Sequence, residues 1–155
     1  EHAIVLAEAG GEALAFGPGH TSASAQPGNS GLTIISGHRD THFRFLEKLR
    51  PNHDIRLHTD RGDYRYRVVK TEVVDSRKTA IVDRGGPHRL LLLTCYPFDG
   101  LDTGGPLRYL VWAEPVEDSL SPANSLSPAN SIAGPSMAAG PPSVNGSVLR
   151  SGIVL

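Results

Sequence analysis

A chain of 155 residues is long enough for one domain with a hydrophobic core. Its 15 basic and 16 acidic side chains nearly balance, so it lacks the basic excess of a nucleic-acid-binding protein and no nucleic-acid partner is expected. No apolar run reaches the roughly 18 residues that span a bilayer, and the single cysteine, Cys95, excludes an internal disulfide and leaves the redox compartment undetermined. The chain opens at Glu1 with neither a methionine nor a signal peptide, and it reads as a processed or partial sequence.

Taken in order, the segments predict mostly strands. "AIVLAEA" (Ala3–Ala9) is a short strand, and "EALAFGPGH" (Glu12–His20) is a second one stopped by Gly-Pro-Gly. "GLTIISG" (Gly31–Gly37) is apolar, β-branched and bounded by glycines, as a buried strand should be. "THFRFLEKL" (Thr41–Leu49) is the one clear helix. Asp40 or Thr41 can cap it, and Phe43, Leu46 and Leu49 fall near one face. "DIRLHT" (Asp54–Thr59) alternates cleanly, and "YRYRVVKTEVV" (Tyr64–Val74) begins with strict alternation and is the longest strand predicted. "RLLLLTC" (Arg89–Cys95) is a continuous apolar run, expected of a strand buried on both faces. "PLRYLVWAEPV" (Pro106–Val116) is the last strand, ended by Pro115. Seven short strands and one helix predict an all-β fold built as a closed or nearly closed barrel over residues 1–118.

Residues 119–155 differ. Only Arg150 is charged there, Ser, Pro, Ala, Gly and Asn dominate, and "SLSPAN" occurs twice in tandem. Such a segment has little apolar surface to offset its ordering entropy, so it is expected to be a flexible tail.

Three stretches carry groups capable of chemistry. A free cysteine is ordinarily a small buried hydrophobe. Cys95, however, ends its apolar run where Tyr96-Pro97 interrupts the ladder, and strand ends open into loops that carry reactive groups. A thiol there is a candidate nucleophile if a neighbour takes its proton. His38 follows the end of another strand. Gly37 before it permits a tight turn that projects the imidazole over a neighbouring strand, as a general acid/base requires. His42, four residues on and inside the helix, is auxiliary. His38, Asp40 and His42 have ligand-like spacing, but no second cluster completes a metal site, and neither metal nor cofactor is expected. Arg108 shares a strand face with Leu110 and Trp112, opposite Leu107, Tyr109 and Val111. Its fixed charge could stabilise an oxyanion and favour a thiolate.

Together these stretches resemble a sortase. "LLLTC" has Leu92, Thr94 and Cys95 where the family has T-L-x-T-C, with Leu91 in place of the first Thr. "SGH" supplies the earlier Gly-His turn, and Arg108 lies on the strand after the cysteine. His38, Cys95 and Arg108 follow in the family's order, 57 and then 13 positions apart. "SGHRDTHFRFL" and "TCYPFDGLDTGGPLRYLV" look more like the Gram-negative branch. The resemblance implies an eight-stranded β-barrel with one or two short helices. It also implies a further strand and a membrane anchor ahead of Glu1, so the barrel is expected to lack its first strand and to stand open at one edge.

The implied activity is that of a cysteine transpeptidase on secreted proteins bearing a C-terminal sorting signal similar to Leu-Pro-x-Thr-Gly. Cys95 would form a thioacyl enzyme, His38 would be acid and then base, Arg108 would hold the substrate backbone or the oxyanion, and Thr94 would support the substrate. An amine would be the acceptor. The implied location is the cell envelope, at the inner membrane and facing the periplasm, with membrane attachment only through an anchor absent from this chain. Two rivals share the same residues: a cysteine peptidase that passes the acyl group to water, and a non-catalytic β-barrel binding module.

Overall fold

The structure, a computed structural model, describes residues 2–7, 9–10, 12–100, 104–116 and 151–154. Eight strands form one curled sheet: β1 (His2–Val5), β2 (Gly19–His20), β3 (Leu32–Ser36), β4 (Asp54–Thr59), β5 (Gly62–Asp75), β6 (Arg89–Cys95), β7 (Leu107–Pro115) and β8 (Ser151–Val154). Their order across the sheet is β1-β8-β4-β5-β7-β6-β3-β2. All neighbours are antiparallel except β3 and β6, which run parallel. Beyond β1, Leu6 bridges to Gly19, so the two end strands of the sheet approach each other. The result is a curled half-barrel.

Side-chain alternation builds two apolar layers from the same strands. Leu90 and Leu92 of β6 point inward and join Ile35, Ile55, Leu57, Tyr66, Val68 and Val111 in the main core. Leu91 points to the opposite face, where it packs with Leu32 and Leu110, and Ile34, Leu93 and Trp112 lie against them. A strand buried on both faces favours apolar side chains on both, which accounts for the four-leucine run.

Two expectations need correcting. The predicted helix over Thr41–Leu49 is only a five-residue 3-10 helix, Arg44–Lys48, preceded by Phe43 without a side-chain cap. Phe43, Leu46 and Leu49 are indeed buried, at 0%, 0% and 5% exposure. Their spacing of three matches the three residues per turn of a 3-10 helix and fits one face of an α-helix as well, so spacing alone does not separate the two. Asp40, the proposed cap, instead pairs with Arg39 at 3.2 Å. Secondly, the predicted strand Glu12–His20 is a 3-10 turn, Ala13–Ala15, followed by the two-residue β2. β8, from within the expected flexible tail, lies between β1 and β4 and pairs with both. Ile153 and Val154 are β-branched residues suited to a strand, and the surrounding Ser/Pro/Ala/Gly composition hides them. The doubled "SLSPAN" lies outside the described residues.

Candidate active site

The parallel β3–β6 pairing sets the geometry of the site. Its last register pair is Ser36 with Leu93. Two residues further along each chain come His38 and Cys95. Two hydrogen bonds extend the match past the strand ends. Gly37 N donates to the Leu93 carbonyl at 3.2 Å, and Thr94 Oγ1 donates to the Gly37 carbonyl at 2.7 Å. On the other side of β6, Cys95 stands directly opposite Arg108 in the antiparallel β6–β7 pair. Directly opposed residues share a face, so the thiol and the guanidinium project to the same side of the sheet.

That side is not the main core. Cys95 continues the series Leu91, Leu93, and Arg108 continues Leu110, Trp112, on the face carrying the second apolar cluster. The two groups therefore emerge where that cluster ends. A groove of about 580 Å³ opens there, lined by His38, Thr94, Cys95 and Arg108, by Leu14 of the β1–β2 connection and by Thr21 and Ser22 just past β2. His38 is exposed and Cys95 is partly exposed. Among the described residues, neither side chain is hydrogen-bonded to or paired with another group. Arg108 Nη1 donates to the Gly105 and Leu107 carbonyls at 2.7 and 2.9 Å, which ties the head of the side chain to the groove rim.

Local sequence explains why these groups stay in place. Gly37 was expected to serve a tight turn, yet its φ is not in the left-handed region. The Phe43 ring decides the position: a Cβ on Gly37 would come within 2.9 Å of it. Phe43 thereby fills the space beneath the His38 turn. Past Cys95, Tyr96 N donates to the Leu107 carbonyl at 3.1 Å, so the ladder runs one residue beyond the expected break. Tyr96, Phe98 and Tyr109 then form an aromatic trio with centroid separations of 5.1 to 6.2 Å.

Residues grouped in the sequence separate in space. His42 lines a different hollow, with Thr41, Arg44 and Glu47. Asp40 belongs to Arg39. The ligand-like spacing of His38, Asp40 and His42 thus does not converge, and among the described residues no group of three or more His, Cys, Asp or Glu is placed to hold a metal. Thr94 lines the groove but is 1% exposed, with its hydroxyl committed to the Gly37 carbonyl. Sequence reasoning passed over Arg39, which is 3% exposed and donates to the carbonyls of Pro97 and Gly100. Nothing in its local sequence distinguishes it from a surface arginine.

The sortase domain family matches residues 1–116. This chain belongs to the sortase family. It is 37% identical over 104 residues to sortase D of Bacillus subtilis, a match covering 66% of this chain and 52% of that protein. This sortase chain therefore spans about half the length of that relative. Among solved structures, a Clostridium perfringens sortase D5 transpeptidase superposes with a TM-score of 0.61 at 22% identity, covering 74% of this chain and 78% of the other. A lid mutant of sortase A from Corynebacterium diphtheriae gives a TM-score of 0.63 at 25% identity, covering 74% and 69%. The sortase β-barrel fold expected from sequence is the fold observed. The likeness to the Gram-negative branch finds no support, because these relatives are Gram-positive sortases.

Proposed function

We propose that this chain is a cysteine transpeptidase that cleaves a sorting signal similar to Leu-Pro-x-Thr-Gly and transfers the acyl part to an amine. One observation carries the reading: the ends of β3, β6 and β7 bring an imidazole, a thiol and a guanidinium to one groove. Cys95 Sγ attacks the threonine carbonyl as its proton passes to His38. The tetrahedral oxyanion forms on the Arg108 side, where N–H groups of the guanidinium other than those on Gly105 and Leu107 can donate to it. The carbon–nitrogen bond breaks, His38 protonates the leaving amine, and a thioester on Cys95 remains. His38 then takes a proton from the incoming amine as its nitrogen attacks the thioester; the carbon–sulfur bond breaks, the new amide leaves, and His38 returns that proton to the departing sulfur to restore the thiol.

Thr94 acts beneath the substrate, fixing the groove floor through Gly37. Residues 1–118 form the catalytic unit, and residues 119–155 are an appendage whose Ser151–Val154 stretch pairs with β1 and β4. The substrates are secreted proteins and the site of action is the cell envelope. An inner-membrane, periplasm-facing placement rests on the Gram-negative likeness of "SGHRDTHFRFL" and "TCYPFDGLDTGGPLRYLV" alone, which the Gram-positive relatives do not share. Hydrolysis is the competing outcome, because His38 is exposed and water reaches the groove. Incubating the protein with a Leu-Pro-Glu-Thr-Gly peptide and triglycine, then weighing the products, tests the reading. A triglycine adduct is expected. Free acid alone would make the protein a peptidase, and uncut peptide would remove this activity.

A further inference from the structure

We propose that Arg39 is a positioning residue for the dyad, a buried clamp that holds the loop after Cys95 against the turn that carries His38. The proposal rests on the transpeptidase reading above. Arg39 follows His38 directly and is 3% exposed. Its Nη1 donates to the Pro97 carbonyl at 2.6 Å, its Nη2 to the Gly100 carbonyl, and its Nε to Asp40 at 3.2 Å. Arg44 adds a bond to the Phe98 carbonyl between them.

A buried cation is costly unless its donors are satisfied. Here the satisfaction comes largely from main-chain carbonyls of residues 97–100, a loop outside any strand. Two donors diverging from one planar fork accept one orientation of that loop, which a lysine's single nitrogen cannot dictate. The nucleophile lies two residues before the first carbonyl and the imidazole one residue before the clamp. Thr94 on Gly37 ties the same two segments from within the sheet. The dyad is thus braced from two sides, and losing one brace lets the sulfur and the ring drift apart. A displacement of about 1 Å can cost on the order of a hundredfold in rate.

The same clamp explains Gly100. A Cβ there would meet Arg39 Nη1 at 3.2 Å and Pro97 Cγ at 3.0 Å. Gly100→Ala therefore crowds the clamp while leaving Arg39 present and buried.

The test compares wild type, Arg39→Gln, Arg39→Lys, Gly100→Ala and His38→Ala. Circular dichroism fixes a temperature at which all are folded. The readouts are kcat and KM with the Leu-Pro-Glu-Thr-Gly peptide and triglycine, and the rate of Cys95 alkylation by iodoacetamide. A misplaced dyad lowers kcat about 10- to 100-fold in Arg39→Gln with KM within about threefold. Arg39→Lys recovers part of the loss, and Gly100→Ala loses about fivefold in kcat alone. Wild-type kcat in Gly100→Ala overturns the clamp even if Arg39→Gln fails to fold, and so does a loss confined to KM. If wild type leaves the peptide uncut, the transpeptidase reading fails and alkylation judges the clamp. Arg39→Gln reacting like His38→Ala then supports it, and reacting like wild type overturns it.

Discussion

Along the β4–β5 hairpin, polar and charged side chains pair with one another across the strands. Arg67 and Arg65 donate to Asp54 at 2.9 and 3.3 Å, and His58 meets Asp63 at 2.5 Å. At the end of β5, Arg77 pairs with Asp75 at 2.7 Å. At the β3–β6–β7 end the arrangement is the reverse. Among the described residues, neither Cys95 nor His38 is engaged by another side chain, and Arg108 bonds only main-chain carbonyls. The holding there is done by neighbours: Thr94 on Gly37, Arg39 on Pro97 and Gly100, and Phe43 under the turn. The hairpin uses its polar groups on itself. The groove leaves its own largely without side-chain partners, and residues behind them hold the main chain.

Substitutions should separate the two regions. The largest effect is expected at the thiol. Cys95→Ala should abolish turnover while shifting the melting temperature by no more than about 2 °C, because removing a partly exposed sulfur opens no core cavity. A peptide-cleavage assay with a thermal melt reads both, and a large drop in melting temperature would mark Cys95 as packing. His38→Ala should follow, with kcat/KM reduced about 10²- to 10⁴-fold, the range for a lost general acid/base. His42→Ala, in its separate hollow, should stay within about threefold of wild type. Equal losses in the two histidine variants would reassign the base.

Next comes Arg108→Lys, expected to lose about 10²-fold in kcat because a point charge replaces a planar fork. Single-turnover kinetics would assign the loss to the chemical step. Thr94→Val crosses the comparison. It removes a buried hydroxyl and orphans the Gly37 carbonyl, so about 1 to 3 kcal/mol of stability should go together with activity. Denaturant unfolding alongside kinetics would show both.

The smallest effect belongs to the hairpin side. The Arg77 hydrogen bond, first among its causes, holds the Asp75 carboxyl down at about 2. The unfolded carboxyl titrates near pH 3.9, so the stabilisation is full above about pH 4 and disappears as pH falls through about 2. Asp75→Asn should therefore melt slightly below wild type at neutral pH, with the gap closing in acid and activity unchanged. A gap that widened in acid would contradict this assignment.

Parts of this division are legible in the sequence. The Leu90–Leu93 run and "GLTIISG" are legible as buried strands because burial on both faces favours apolar residues, with Thr33 the buried polar exception in β3. Cys95, His38 and Arg108 are legible as residues at strand ends, where the structure brings them to one groove. The braces are not. Arg39 looks like any solvated arginine until the loop carbonyls close over it, and the Thr94 hydroxyl acquires its partner only through the parallel β3–β6 register. Phe43, Leu46 and Leu49 fit a helical face, but their spacing of three does not reveal how short the helix is. β8 escaped notice because pairing to β1 and β4 is long-range, while composition reports only local tendency.

The central claim is that Cys95 carries the acyl group between two amines. Mixing the protein with the Leu-Pro-Glu-Thr-Gly peptide, quenching in acid and taking the intact mass tests it most directly. A mass gain equal to the peptide up to its threonine, located on Cys95 and discharged as an amide when triglycine is added, is the predicted result. No adduct on wild type, or the same adduct on Cys95→Ala, would contradict it.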